Sequence, residues 1–178
     1  KWVFVSFAGM VHAVDVSGPS LRFDEPWSLF DGAELGDSWK VGGQQPFAAH
    51  DASNRLYALV HQGGEGSHKD PGREVWVYDL ASRARVQRIA LASAYAGLLR
   101  GTLRLDESTW SGWLATRLLY ALLPNPGADR ILVTQDPAPV LVTGTMFPST
   151  LLVHDARTGA LLRDVSEVGV AGGLLSAP

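Results

Sequence analysis

The sequence predicts an all-β protein, a partial β-propeller with one inserted helix. Three segments share one pattern, in which an aspartate opens a polar turn and a strand follows: residues 13–23, 77–89 and 153–165. Aspartate suits this place because its carboxylate accepts backbone N–H bonds about two residues further on. Paired strands of alternating β-branched and aromatic residues precede two of the copies. Four short antiparallel strands in repeated units are typical of propeller blades.

The repeats place one partial blade in residues 1–23 and fuller blades in residues 44–91 and 130–166. We therefore treat residues 1–178 as one partial propeller domain of about three blades. A closed propeller has at least four blades. We expect the chain to be part of a larger propeller, with the first blade beginning at its second strand.

The glycine-rich stretch "HQGGEGSHKDPGREVWVYD" (61–79) is predicted to be a lengthened hairpin loop that leads into a strand. The second strands of the two fuller blades lie 84 residues apart, from Leu56 to Val140, whereas the third strands lie 76 apart, from Asp79 to Asp155. The difference of 8 residues is extra loop. Residues 24–43, with acidic turns and paired glycines, are expected to form an irregular loop between blades.

Residues 92–129 fall outside the repeat and predict an inserted helical segment. Ser108 or Thr109 is a plausible N-cap, and Pro124 is a stop signal. One face of the helix is apolar, made by Trp110, Trp113, Leu114, Leu118, Ala121 and Leu122. Because apolar residues extend nearly all round, we expect the helix to be buried against the propeller or a partner. A membrane-surface role is the alternative, weakened by the single basic residue Arg117.

Composition narrows the class of protein. The 178 residues are 46% hydrophobic, enough for a core, and carry a net charge of −3 with both signs scattered. This balance indicates neither a nucleic-acid nor an anionic-membrane partner. Cysteine is absent, so no disulfide or thiolate site is expected within these residues. No run of 18 apolar residues occurs, so no transmembrane helix is expected.

The long loop holds the candidate functional residues His61, Glu65, His68 and Lys69. Imidazole and carboxylate groups suit zinc or copper, but the glycines between them give no rigid ligand spacing. Two other interpretations stay open: a loop ordered by its own side chains and neighbours, and a polar contact surface for a partner subunit. A phosphate cradle is disfavoured because the G-x-x-x-x-G-K-[ST] pattern is missing and a strand follows.

No catalytic, cofactor-binding or metal residue is predicted. The sequence has no G-x-S-x-G nucleophile elbow. Four aspartates recur at turn positions, where capping of hairpins explains them: Asp51, Asp79, Asp136 and Asp155.

Several stretches resemble the heavy chain of the quinoprotein amine dehydrogenases, the methylamine and aromatic amine dehydrogenase family. These stretches are "GGQQPFAAH" (42–50), "RLYALVHQGGEGSHK" (55–69), "EVWVYD" (74–79) and "LLVHDARTGALLRDVSEVG" (151–169). The resemblance covers nearly the whole chain except residues 92–129, where the family has a short link between blades.

The resemblance implies the last three blades of a seven-bladed propeller. It also implies a periplasmic assembly of two heavy and two light chains. The light chain would carry tryptophan tryptophylquinone, oxidise a primary amine to an aldehyde and ammonia, and pass electrons to a small copper protein. The heavy chain would serve as scaffold and docking surface.

Two other functions remain open. One is a non-enzymatic propeller that serves as a binding platform, which the insertion at 92–129 favours. The other is a metal-dependent propeller hydrolase or lactonase with its metal in the central channel. The residues do not name the amine, the electron acceptor or the role of the inserted helix.

Overall fold

The structure is a computed structural model that describes residues 1–7, 9–65, 67, 70–92, 99, 102–106, 108–122, 127–145 and 150–165. The helices with described bounds are α1 (Gly32–Gly36) and α2 (Trp110–Leu122). The strands are β1 (Trp2–Phe7), β2 (Met10–Asp15), β3 (Arg22–Phe23), β4 (Trp27–Ser28), β5 (Trp39–Val41), β6 (Phe47–His50), β7 (Arg55–Gln62), β8 (Glu74–Asp79), β9 (Arg85–Ala90), β10 (Arg130–Val133), β11 (Val140–Thr145), β12 (Thr150–Asp155) and β13 (Leu161–Asp164).

These strands form three antiparallel sheets, as a propeller-like all-β fold requires. The first sheet has the order β1-β2-β3, with β4 also paired to β2; the last sheet has the order β10-β11-β12-β13. The middle sheet has the order β5-β7-β8-β9, and β6 pairs with the same edge of β7 as β5 does. An aspartate ends β2, β8 and β12, so β1 corresponds to the second strands β7 and β11.

The segment 24–43, predicted to be an irregular loop, contains β4, α1 and β5. This prediction was wrong because a capping box starts the short helix α1. The Asp31 carboxylate accepts a hydrogen bond from the Glu34 backbone N–H at 2.8 Å, and the Glu34 carboxylate accepts one from the Asp31 N–H at 3.0 Å. The middle sheet therefore begins at Trp39, before the predicted boundary at residue 44.

The core lies on both faces of the middle sheet. Side chains alternate along β7 and β8, so one set faces the last sheet: Tyr57, Leu59, Val75 and Val77. The other set packs against the first sheet with Val11, Trp27, Leu29 and Phe30: Leu56, Ala58, Val60, Trp76 and Tyr78. All nine side chains are at most 3% exposed. A sheet packed between two neighbouring sheets in this way is expected of a propeller blade.

The repeated aspartate turns form as predicted. The Asp79 carboxylate accepts hydrogen bonds from the Ser82 backbone N–H at 2.8 Å and from its hydroxyl at 3.0 Å. Asp155 does the same with Thr158, at 2.6 and 2.9 Å. These N–H donors lower the pKa of both carboxyl groups. Side-chain hydrogen bonds, led by the Ser17 hydroxyl, lower the pKa of Asp15 in the first sheet.

Helix α2 begins where the sequence predicted, but its apolar face is not covered. The Thr109 hydroxyl accepts the Gly112 N–H at 3.1 Å, which makes Thr109 the N-cap. Trp110 is 74% exposed and Leu122 is 77% exposed, so this face is not buried within the chain. The opposite side packs closely on the preceding turn, since a Cβ on Gly112 would lie 1.9 Å from the Asp106 carbonyl oxygen. The predicted stop at Pro124 lies outside the described residues. Within the described residues, no helix has the length and apolarity needed to cross a membrane.

Candidate functional site

The long loop follows β7 and leads into β8, as the sequence predicted. Lys40 of β5 is bonded to the loop. Its ammonium donates to the Gly64 carbonyl and to the Ser67 hydroxyl, the latter at 3.2 Å. The Ser67 hydroxyl in turn donates to the Gly64 carbonyl at 2.6 Å. The Asp70 N–H donates to the Ser67 carbonyl at 3.0 Å. The loop is therefore ordered by its own side chains and by its neighbours.

His61 lies inside the protein, at the end of β7. His61 is 2% exposed, and its Nδ1 donates to the Gln62 carbonyl at 3.2 Å. With Nδ1 donating, Nε2 is left as an acceptor, and it has no hydrogen-bond partner among the described residues. Glycines make room for the ring: a Cβ on Gly42 would lie 2.5 Å from His61 Cδ2, and one on Gly63 would lie 3.1 Å from Cε1.

The predicted contact residues therefore differ in their exposure to solvent. Glu65 is exposed on the loop, where it can meet a partner, whereas His61 supports the loop from within. His68 and Lys69 lie outside the described residues. Among the residues that are described, no group of three or more His, Cys, Asp or Glu side chains is placed to hold a metal ion.

The "GGQQ" motif connects the loop to the last sheet. The Gly43 N–H donates to the Asp70 carbonyl at 2.8 Å. Gln44 and Gln45 both donate their backbone N–H to the Asp129 carbonyl, at 2.7 and 2.9 Å, and the Ile131 N–H donates to the Gln45 carbonyl at 3.1 Å. Because this short motif bonds the middle sheet, the loop and the last sheet together, it fixes where the loop stands.

A second junction joins the same two sheets at the opposite end. The Gln135 side chain donates to the Ala49 carbonyl at 2.7 Å and accepts the Asp51 N–H at 3.0 Å. His50 Nε2 donates to the Asp136 carbonyl at 3.2 Å. Asp51 and Asp136, predicted as turn caps, are therefore joined to this junction through their backbone groups. Sequence reasoning missed Gln135 and His50. Both belong to pairs of bonded residues that are 86 positions apart in the sequence, as do Gln44 and Arg130.

An apolar groove of about 840 Å³ lies between the first and middle sheets. Consecutive residues line it, from the ranges 4–7, 38–41 and 43–47. Because neighbouring side chains of a strand point to opposite faces, a groove lined by consecutive residues follows the edge of the strand. The groove runs along the edge of β1 that pairs with no described strand. In the middle and last sheets, the corresponding edges of β7 and β11 pair with β6 and β10.

The described lining of this groove is mostly apolar. Phe4, Phe30, Trp39 and Phe47 make its walls apolar. Lys40 alone is titratable among the described residues that line it, and its ammonium is already bonded to the loop. General acid–base catalysis requires a positioned proton donor and acceptor, and the described lining offers no such pair.

Beside the groove, aromatic rings and cations from β5, β8 and β9 form a packed cluster. Trp76 and Trp39 lie 4.7 Å apart, and the Arg85 guanidinium lies 4.1 Å from the Trp76 ring centroid. Arg88 lies 5.0 Å from the Trp39 centroid and pairs with Glu74 at 2.9 Å. This cluster fixes Trp39, and with it one wall of the groove.

The loop, the "GGQQ" motif and the groove lining all fall within a stretch that matches a known family. The family model for "Methylamine dehydrogenase heavy chain (MADH)" matches residues 1–99, more than half of the chain. Helix α2 and the last sheet lie beyond that match.

Curated relatives extend the similarity along most of the chain. The methylamine dehydrogenase heavy chain of Paracoccus versutus is 28% identical over 169 residues, which cover 95% of this chain and 32% of the relative. That of Methylophilus methylotrophus is 27% identical over 170 residues, 96% of this chain and 34% of the relative. That of Methylorubrum extorquens is 23% identical over 169 residues, 95% and 33%. The chain spans about a third of the length of these relatives. Together, these matches place the chain in the methylamine dehydrogenase heavy chain family.

Proposed function

We propose that this chain is part of the heavy subunit of an amine dehydrogenase, in which it supports a separate, quinone-bearing light chain. The family match over residues 1–99 carries this proposal, because it includes the loop, the "GGQQ" junction and the groove. The complete subunit is a seven-bladed propeller in the periplasm, paired with a second heavy chain.

The residues of this chain fit a supporting role. A quinone that oxidises amines needs a base to accept a proton from the substrate carbon. The described lining of the groove supplies no carboxylate or imidazole for that step, and the Lys40 ammonium is engaged by the loop. In this proposal the tryptophan tryptophylquinone is carried by the light chain.

When bound, the quinone accepts two electrons and two protons as a primary amine and water become an aldehyde and ammonia. The electrons then pass to a small copper protein. Methylamine, the amine in the relatives' names, is the simplest substrate of this class. This chain contributes orientation: its "GGQQ" junction holds the loop, on which Glu65 is exposed. We propose that Glu65, His68 and Lys69 contact the light chain.

The test is purification of the intact gene product from its source, with a visible spectrum of the eluate. A small co-purifying chain, together with a quinone band that bleaches on addition of methylamine, is the expected result. A colourless propeller without a second chain would overturn the proposal. The loop's contribution is tested by Glu65→Lys, which should weaken light-chain binding several-fold. The matched control Glu25→Lys reverses an exposed charge in the turn before β4 and should leave that binding unchanged.

A binding platform without enzymatic activity is the second candidate, and α2 is the observation that favours it. The helix lies beyond the family match and exposes an apolar face. The same purification separates the two candidates, because a platform would elute without a quinone band but with some other bound protein.

A further inference from the structure

The loop after β7 is fixed at both of its ends by the segment 38–43, which contains β5. At the start of the loop, the Gly63 N–H donates to the Ser38 carbonyl at 3.1 Å. At its end, the Gly43 N–H donates to the Asp70 carbonyl at 2.8 Å. These are bonds between backbone groups, so they do not depend on which side chains the segment carries.

The middle of the loop is held by a side chain, that of Lys40 on β5. Its ammonium donates to the Gly64 carbonyl and to the Ser67 hydroxyl, the latter at 3.2 Å. The Gly64 carbonyl also accepts the Ser67 hydroxyl at 2.6 Å and the Ser67 N–H at 3.3 Å. Lys40 and Ser67 therefore both donate to one carbonyl oxygen, and a hydrogen bond from a charged group is roughly twice as strong as a neutral one.

Glu65 lies in the tight turn that Lys40 fastens. The bond from the Ser67 N–H to the Gly64 carbonyl joins residues three apart, which is the bond that closes a β-turn. Glu65 directly follows Gly64 in this turn, and it is exposed. Lys40 therefore fixes the backbone that carries the Glu65 side chain.

Packing secures one side of this turn and leaves another side open. A Cβ on Gly63 would lie 2.4 Å from the Ser67 hydroxyl oxygen and 2.8 Å from the Ser67 Cβ, so the turn folds closely against Gly63. A Cβ on Gly64 would instead meet nothing within 4 Å. Segments with few packing contacts open at low free energy, so the bonds made by Lys40 should matter more here than bonds in the core.

We infer that Lys40 is a positioning residue that holds Glu65 in the orientation required to bind the light chain. This inference rests on the proposed function, because that function supplies the light chain as the partner. An ordered loop loses less conformational entropy on binding than a loose one, so it binds more tightly for the same contacts. Lys40 acts through Gly64 and Ser67, and the contact itself is made by Glu65.

Lys40→Met in the full heavy subunit tests this role, because methionine keeps much of the side-chain length and removes the ammonium. The dissociation constant of the co-purifying light chain should rise by about 10-fold or more, as expected for the loss of a hydrogen bond from a charged group. Arg83→Met is the matched control. It removes a cation in the turn after β8, at the opposite end of that strand from the loop, and should leave the dissociation constant unchanged.

Hydrogen exchange of the full heavy subunit, without the light chain, measures the loop itself. In Lys40→Met, the amides of Ser67 and Asp70 should exchange about 10-fold faster, because both donate to carbonyls within the loop. The Gly63 amide, bonded to the segment before β5, is the internal control and should keep its rate. Unchanged exchange at Ser67, or the same increase at all three amides, would overturn the inference.

A double-mutant cycle separates positioning from an independent contact. If Lys40 acts by orienting Glu65, Glu65→Ala should weaken light-chain binding by a smaller factor in the Lys40→Met background than in the wild type. Equal factors in the two backgrounds would show that the two residues act independently and would contradict the inference. Circular dichroism should show the same folded spectrum for each variant.

Failure of this inference can be distinguished from failure of the proposed function. A wild-type heavy subunit that is purified without any light chain would overturn the proposed function, and the positioning role with it. A light chain that binds the wild type and the Lys40→Met variant equally well would leave the proposed function standing and overturn the positioning role alone.

Discussion

The middle sheet and helix α2 are both rich in apolar residues, yet one is buried and the other is exposed. Trp76 on β8 is fully buried, whereas Trp110 on α2 is 74% exposed. Strand alternation gives the middle sheet two apolar faces, and a neighbouring sheet covers each of them. Helix α2 packs on its own preceding turn, and its apolar face is exposed. Apolar content therefore indicates that a surface will be covered, but not whether the same chain covers it.

The largest expected difference between the two regions is in stability. Trp76→Ala should lower the free energy of unfolding by about 3–5 kcal/mol, because it opens a cavity between the first and middle sheets. Trp110→Ala should change it by no more than about 0.5 kcal/mol, because Trp110 is exposed. Urea unfolding followed by circular dichroism measures both variants. A similar loss in both would show that α2 is part of the intramolecular core.

The glycines of the loop region give a sharper test of close packing. Gly42→Ala should cost about 1–3 kcal/mol, since its Cβ would lie 2.5 Å from His61 Cδ2 and 2.6 Å from the Asp70 carbonyl oxygen. Gly64→Ala is the matched control, because nothing lies within 4 Å of its Cβ position. Thermal melts of the two variants measure the difference. Equal melting temperatures would argue against the close contact of Gly42 with His61.

The contrast between buried and exposed regions extends to pH. Burial lowers the pKa of His154, which is 1% exposed and packed on the side of the last sheet that faces the middle sheet. The unfolded chain, with an ordinary pKa near 6.5, therefore takes up the proton first as pH falls. The contribution of neutral His154 to the free energy of unfolding is fully present above about pH 6.5 and decreases as the pH falls below that value. His154→Leu should reduce this slope between pH 7 and 5, measured by urea unfolding at each pH, and an unchanged slope would contradict the assignment to His154.

The smallest expected effect concerns two of the arginine–tryptophan contacts, those of Arg88 and Arg117. Arg88→Met should cost about 0.5–1 kcal/mol, because it removes the contact with Trp39 and a partly exposed ion pair with Glu74. Arg117→Met removes the contact with Trp113 on α2, where solvent weakens it, so the cost should be smaller. Urea midpoints rank the two variants, and a larger loss for Arg117→Met would reverse the comparison.

Local patterns predicted much of the fold. The repeated Asp79 and Asp155 turns, the lengthened loop and the Thr109 cap all follow from groups within a few residues of one another. The short helix α1 also had a local signal, the D-x-x-E pattern of Asp31 and Glu34, which the glycines around it obscured.

Two features were not predicted correctly from the sequence: the burial of His61 and the exposure of the apolar face of α2. His61 continues the alternation of Tyr57 and Leu59 towards the last sheet, so its burial was readable from the strand period. Its neighbours Gly42 and Gly63 could not be placed without the tertiary structure. The apolar face of α2 was predicted from the sequence, but the periodicity of one helix does not say whether that face is buried, and in the structure it is exposed.

The attachment of the α2 segment has a practical consequence for this architecture. Its two ends are held by Arg73 and Gly72, which are adjacent in sequence, while the junction strands keep their constant offset. A segment tied down at two neighbouring points can be exchanged without disturbing the sheets on either side. We therefore expect that the segment between Leu91 and Ala128 can be replaced by a different insertion while the middle and last sheets keep their structure.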